Sequence, residues 1–172
     1  MTCVGADPPA APSIVIVGLG NRDRGDDGVG PAVADRLAGT LPPHVRVIRM
    51  NGDALALIDT WADTEAAIVV DAAVSGAKPG HVLRIDAVAD ELPTHLALSS
   101  THSFGLVDAI ALARVLDRLP PALVIYAIEA ATFDAGTPIT DAVSRAVPMV
   151  VERIKGDLRA LWQIQTEGVT HA

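Results

Sequence analysis

The chain of 172 residues has little cysteine, few aromatic side chains and no long apolar run. Its single cysteine, Cys3, excludes an intramolecular disulfide and a cysteine-based zinc site, and it fits a reducing cytoplasm. Aromatic residues make up only 3% of the chain, which disfavours the stacking surfaces that bind single-stranded nucleic acid. No stretch approaches the ~20 apolar residues of a membrane span, so the sequence predicts no membrane association.

Basic residues are also scarce, with 13 Lys and Arg against 21 Asp and Glu, which leaves a net charge of −8. A chain without a basic stripe cannot neutralise many phosphates, so we expect no nucleic-acid partner. Hydrophobic residues make up 50% of the chain, which is too many for a disordered protein. The length fits one domain, and we expect a monomer.

The chain divides into three predicted segments. Residues 1–12 contain no Lys or Arg and end in Pro-Pro-Ala-Ala-Pro, which indicates a flexible leader and not a signal peptide. Residues 13–162 carry the alternating apolar runs of a single α/β domain, and residues 163–172 form a polar tail. No internal repeat or second domain is visible.

Five apolar runs predict strands, at residues 13–18, 45–49, 66–71, 82–85 and 123–128. Helical spacing predicts helices from Val29 to Leu41, over residues 53–61, from residues 99–101 to Leu119, and over residues 140–162. Strands separated by helices favour a mostly parallel sheet with helices on both faces. The fourth strand follows the third too closely for a helical crossover, so we expect it to be antiparallel or at an edge.

The loop between the first strand and the first helix, residues 18–30, is rich in glycine and acid. The dinucleotide pattern G-x-G-x-x-G would need glycine at Asp23, and the P-loop pattern would need Lys and Ser or Thr at Asp26 and Asp27. Two acids repel a polyphosphate, whereas they suit a cation or a proton. Either acid alone is also explained as a cap at the helix N-terminus.

Two further polar residues are predicted near this loop. Asp71 ends the apolar third strand, and His102 opens a helix. Ligands bind open parallel sheets outside the carboxyl ends of the strands, so Asp27, Asp71 and His102 are expected at one rim. Two carboxylates and one imidazole suit a divalent transition metal such as Ni, Zn, Cu or Fe and leave positions for a substrate group. Taken singly, a strand-end Asp or a lone His is more often structural.

Several motifs occur in an order that resembles the hydrogenase maturation endopeptidases. They are Gly18-Leu19-Gly20-Asn21, Gly25-Asp26-Asp27-Gly28-Val29-Gly30, Val69-Val70-Asp71-Ala72, Thr101-His102-Ser103-Phe104-Gly105-Leu106 and Ile128-Glu129. The resemblance implies a three-layer α/β/α fold around a twisted five-stranded sheet. It also implies an endopeptidase that removes a C-terminal extension from the [NiFe] hydrogenase large-subunit precursor after nickel insertion.

The resemblance assigns roles to individual residues. It implies that Asp27, Asp71 and His102 contact the metal, a nickel that the substrate supplies and that serves as the recognition feature. The family often carries Glu where Asp27 stands. In the first loop, the supporting positions are Gly20, Asn21, Asp26 and Gly28.

The catalytic step is left open between two routes. The metal could polarise the scissile carbonyl or activate water, or Asp27 or Asp71 could act as general base. The sequence has neither G-x-S-x-G nor H-E-x-x-H, and Cys3 lies in the leader, which disfavours serine, cysteine and thermolysin-type mechanisms. The alternatives from other classes are a non-catalytic nickel chaperone that docks on the hydrogenase subunit, and a nucleotide-binding flavodoxin-like domain.

Overall fold

A computed structural model describes residues 13–90, 92, 97–98 and 105–168. The strands are β1 (Ile14–Leu19), β2 (Val45–Met50), β3 (Ala66–Val74), β4 (Val82–Asp86), β5 (Ala97–Leu98) and β6 (Ala122–Glu129). The α-helices are α1 (Val29–Leu37), α2 (Ala54–Trp61), α3 (Leu106–Val115) and α4 (Asp141–Gly168). A short 3-10 turn, Gly25–Gly28, joins the loop after β1 to α1.

The sheet has the order β2-β1-β3-β6-β4, and β5 pairs with the end of β3. The pairs β1–β2, β1–β3 and β3–β6 are parallel, whereas β4 runs antiparallel to β6. This confirms the mostly parallel sheet and the antiparallel fourth strand at an edge. The sequence analysis missed β5, because a two-residue strand carries no periodic pattern.

Two helical layers cover the sheet and complete the three-layer α/β/α architecture. Helices α2 and α3 pack with Val69 and Ile125 in one apolar cluster, and α1 and α4 pack with Ile68 and Tyr126 in the other. Residues alternate between the two clusters along β3 and β6, since neighbouring strand residues point to opposite faces. Burial on both faces explains why the central strands read as continuous apolar runs.

Glycines in the first loop permit α1 to lie directly on the sheet. A Cβ on Gly18 would lie 2.3 Å from the carbonyl oxygen of Gly30, and a Cβ on Gly30 would lie 2.5 Å from that of Val70. Only glycine fits such close approaches of backbone to backbone. The start of α1 is thereby held against β3 at the residue before Asp71.

Several predicted boundaries are wrong. The first helix ends at Leu37 and not at Leu41. Helix α3 begins at Leu106 with Gly105 as its N-cap, and its predicted start at residues 99–101 lies outside the described residues. Helix α3 also stops at Val115, before Asp117 adopts a φ of 53°, and so ends ahead of the prolines that were expected to stop it. The local backbone conformation at Asp117 therefore ends the helix earlier than the proline signal suggests.

Helix α4 is longer than predicted. It continues to Gly168, past the expected end at Trp162, and stays one helix through Pro148. Residues 1–12 and 169–172 lie outside the described residues, so the leader and the end of the polar tail stay predictions. Among the described helices, none combines the length and hydropathy needed to cross a bilayer.

Candidate active site

The 3-10 turn after β1 carries Asp27 in a buried position. Its side chain is 4% exposed, and its Oδ2 accepts a hydrogen bond of 3.0 Å from the backbone N–H of Asn21. The guanidinium of Arg24 lies 3.8 Å from the same oxygen. Gly20 has a φ of 124°, and a Cβ there would lie 1.9 Å from the carbonyl oxygen of Asp27. The predicted supporting residues Gly20 and Asn21 therefore both contact Asp27.

Asp26 has a different environment, although it is adjacent in the chain and fully buried. Its carboxylate accepts hydrogen bonds from the backbone N–H groups of Ala131, Thr132 and Thr140 and from the hydroxyl of Thr140. Both oxygens are thus occupied by the loop between β6 and α4. Asp26 therefore joins the site loop to a segment more than one hundred residues away, and these partners had no sequence signal.

Asp71 lies within β3 and does not end it, because Ala72, Ala73 and Val74 continue the strand. The side chain is 1% exposed, and Oδ2 has no hydrogen-bond partner among the described residues. Burial raises the pKa of Asp71 to about 8, and the negative charge of Asp27 contributes in the same direction. A hydrogen bond with the backbone of Ala72 opposes this shift. The two predicted carboxylates are therefore close enough to interact.

His102 lies outside the described residues, so its role as the third metal contact stays a prediction. Helix α3 begins four residues after it and packs on the sheet face that holds Val69. Asp71 points to that same face by strand alternation. Within the described ranges, no group of three or more His, Cys, Asp or Glu side chains could hold a metal ion. The described part of the site thus supplies two carboxylates.

Glu129 ends β6 and belongs to the Ile128-Glu129 motif, but the sequence predicted no role for it. It is buried, and its carboxylate accepts hydrogen bonds from the N–H and hydroxyl of Ser75 and from the N–H of Gly76. Burial alone would raise the pKa of Glu129, but these bonds outweigh it and hold the pKa below its ordinary value. Glu129 therefore fixes the turn that follows β3.

Two surface cavities lie away from these acids. One of about 370 Å³ is lined by Ile14, Val45 and Leu158, at the opposite end of the sheet. Another of about 300 Å³ lies between α1 and the edge strand β2. Their linings contain neither Asp27 nor Asp71.

The donor set at the acidic rim fits a divalent cation. A buried carboxylate oxygen without a partner is unfavourable unless a proton or a cation occupies it. The charge of Asp27 beside it increases the attraction for a cation. Carboxylates with an imidazole suit Ni or Zn, whereas two acids beside a phosphate would be repulsive.

Comparisons with known proteins identify the family of this chain. The family model "Hydrogenase maturation protease" matches residues 31–157. The hydrogenase expression/formation protein HupD of Rhodobacter capsulatus is 28% identical over 163 residues, which cover 91% of this chain and 76% of that protein. The [NiFe] hydrogenase maturation protease HybD from Thermococcus kodakarensis is similar in structure, with a TM-score of 0.67, 25% identity and coverage of 83% and 97%.

A solution structure of an endopeptidase from Escherichia coli shares the fold, with a TM-score of 0.72 at 20% identity over 86% of this chain and 92% of that one. The family match contains Asp71 and the position of His102, whereas Asp27 lies just before it. Sequence and fold therefore converge, and the chain belongs to the hydrogenase maturation protease family, a family of peptide-bond hydrolases.

Proposed function

We propose that this chain cleaves the C-terminal extension from a [NiFe] hydrogenase large-subunit precursor that already holds nickel. Family membership supports the reaction class and the hydrogenase-linked role. The observation that carries the site assignment is the Oδ2 of Asp71, which is buried beside the charge of Asp27 and has no hydrogen-bond partner in the part of the chain that the structure describes. The nickel of the precursor is the substrate group that this pair, together with His102, would recognise.

The raised pKa of Asp71 assigns it a proton in the free protein near neutral pH. A carboxylate must lose its proton to bind a metal ion. Docking of the nickel site therefore displaces the proton of Asp71 and leaves two carboxylates that neutralise the cation. The precursor should bind more tightly as pH rises from 6 to 8, because removing the proton from Asp71 then costs less free energy.

Recognition of this kind converts a weak encounter into an oriented one. The nickel fixes one point of the precursor at the sheet rim, so that the scissile peptide lies beside the two acids. The Asn21 N–H and the Arg24 guanidinium hold the Asp27 carboxylate, and the backbone of Asp71 is part of β3. A carboxylate oxygen of Asp27 or Asp71 that does not contact the nickel can act as general base toward the attacking water.

The test is incubation of purified nickel-loaded precursor with the full chain, followed by intact-mass spectrometry. The parent chain should release the C-terminal peptide. Asp27→Ala, Asp71→Ala and His102→Ala should each reduce release by at least ~100-fold while circular dichroism stays unchanged, since each removes a substrate contact. Asp23→Ala is the matched control, because Asp23 is an exposed acid of the same loop. It should cleave like the parent.

Each result bears on one part of the proposal. Normal cleavage by all three variants would overturn the site assignment, and equal cleavage of metal-free precursor would remove nickel from recognition. Binding of the loaded precursor without release of peptide would instead identify the chain as a non-catalytic nickel chaperone. The proposal also includes a monomeric protein that acts in the cytoplasm, where Cys3 stays reduced.

A further inference from the structure

The loop between β6 and α4, residues 130–140, is bonded to the turn that carries Asp27. The backbone N–H of Gly25 donates to the carbonyl of Thr137 at 3.0 Å, and that of Asp26 donates to the carbonyl of Thr132 at 3.0 Å. A third bond of 2.7 Å runs from the N–H of Gly136 to the carbonyl of Asp23. Two segments that are far apart in sequence thus form one unit at the sheet rim.

The carboxylate of Asp26 is the centre of this attachment. It receives hydrogen bonds at 2.7 Å from the N–H groups of both Ala131 and Thr140. The hydroxyl of Thr140 adds a bond of 3.1 Å, and the N–H of Thr132 adds one of 3.3 Å. The residue is fully buried, so water does not replace these donors when one is lost. Protein donors therefore engage both oxygens of Asp26.

We propose that Asp26 is a positioning residue for Asp27. The two are neighbours in a 3-10 turn of four residues, so the backbone of one cannot shift without the other. With Asp26 anchored to residues 131–140, the carboxylate of Asp27 stays in reach of the Asn21 N–H and beside Asp71. The expected loss of cleavage in Asp26 variants rests on the proposed function, whereas the expected displacement of Asp27 does not.

The test uses two kinds of variant in the full chain. Asp26→Asn keeps the size of the side chain but replaces one carboxylate oxygen by an NH₂ group. That group is a donor and cannot accept hydrogen bonds from the buried N–H groups. Thr140→Val removes only the hydroxyl bond, and Thr140→Ser restores it. Amide hydrogen exchange at Asn21 reports the position of Asp27, because that amide donates to its Oδ2. Exchange at Val69, in the middle of β3, reports global opening.

Asp26→Asn should accelerate exchange at Asn21 at least tenfold with Val69 unchanged, and kcat/KM for nickel-loaded precursor should fall at least tenfold. Thr140→Val should give a smaller change in the same direction, and Thr140→Ser should match the parent. Ser75→Ala is the matched control, since it removes a hydroxyl donor from the other buried carboxylate, Glu129. It should leave the Asn21 amide unaffected.

The proposal is overturned if the Asn21 amide exchanges at the parent rate in both Asp26→Asn and Thr140→Val, whether or not cleavage changes. It is also overturned if all amides accelerate together, since that indicates only lost stability. If Asp26→Asn does not fold, Thr140→Val and Thr140→Ser decide the question, again by the exchange rate of the Asn21 amide. A parent chain that cleaves no precursor, combined with faster Asn21 exchange in the variants, would refute the proposed function and leave the positioning role supported.

Discussion

Asp71 and Glu129 are buried acids on the same face of neighbouring parallel strands, yet their environments differ. Glu129 pairs in register with Ala73, two residues beyond Asp71 on β3. Ser75 and Gly76 donate to Glu129, whereas Oδ2 of Asp71 lacks a partner among the described residues. Their pKa values consequently move in opposite directions, down for Glu129 and up to about 8 for Asp71.

The difference shows that burial alone does not define a functional acid. Donors from the turn at residues 75–77 compensate the burial of Glu129, so its charge is stable and serves the structure. Asp71 is also buried, but its Oδ2 has no partner among the described residues and a like charge lies nearby, so it suits a proton or a cation. Asp26 resembles Glu129 in this respect, because backbone donors occupy both of its oxygens.

The largest expected effect is on the pH dependence of stability. The folded pKa of Asp71 lies above its ordinary value of 3.8, so the folded state retains a proton that the unfolded state loses. The free energy of unfolding should therefore fall as pH rises from about 4 to about 8, by roughly 1.4 kcal/mol per pH unit at most. Asp71→Asn should abolish this contribution. Urea denaturation with chelator across that range measures it, and parallel curves for the two proteins would contradict the shifted pKa.

The second expected effect is stabilisation by a divalent cation. At pH 8, Ni²⁺ at 100 times its dissociation constant should raise the free energy of unfolding by about 2.7 kcal/mol, because it binds only the folded chain. Asp71→Asn should lose most of this gain, while Glu129→Gln should keep it, because Glu129 is already occupied by protein donors. Thermal unfolding with and without Ni²⁺ measures the difference. An equal response from both variants would show that the cation binds elsewhere.

A smaller effect is expected for Glu129→Gln itself, which weakens the acceptor for Ser75 and Gly76 and should destabilise the fold by about 1–3 kcal/mol at pH 7. The folded pKa of Glu129 is below its ordinary value, so its contribution is complete above pH ~4.5 and is lost as pH falls through the folded pKa. The difference between parent and variant should therefore shrink in acid. A difference that instead grows below pH 4 would contradict the lowered pKa.

The smallest expected effect is that of Ser75→Ala, which removes one hydroxyl bond of 2.7 Å to Glu129 and leaves the backbone donors in place. We expect a loss of about 1 kcal/mol, measured by urea denaturation at pH 7. The pH dependence of the free energy of unfolding that arises from Asp71 should be unchanged. If Ser75→Ala altered that pH dependence, the two acids would be coupled and the contrast between them would need revision.

Much of the fold could be predicted from local pattern. The β-branched runs predicted all five long strands, and the short link after the third predicted the antiparallel direction of β4. Helix ends were less predictable. Helix α3 begins at Leu106, whereas the Ser-Ser-Thr signal that predicted its start lies at residues 99–101, outside the described residues. The extension of β3 past Asp71 was missed because an acid usually marks a strand end.

The sequence by itself indicated the family through the order of its motifs, and it predicted the three-layer architecture and a common rim for Asp27 and Asp71. These follow from the glycine-rich loop and from the alternation of strands and helices along the chain, which are local properties. Only the tertiary structure decided which buried acids are satisfied. The donors to Asp26 come from residues 131–140 and those to Glu129 from residues 75–76, across separations that no periodicity encodes. Whether a carboxylate holds the fold or stays free for chemistry depends on these distant donors, because desolvation must be offset by hydrogen bonds.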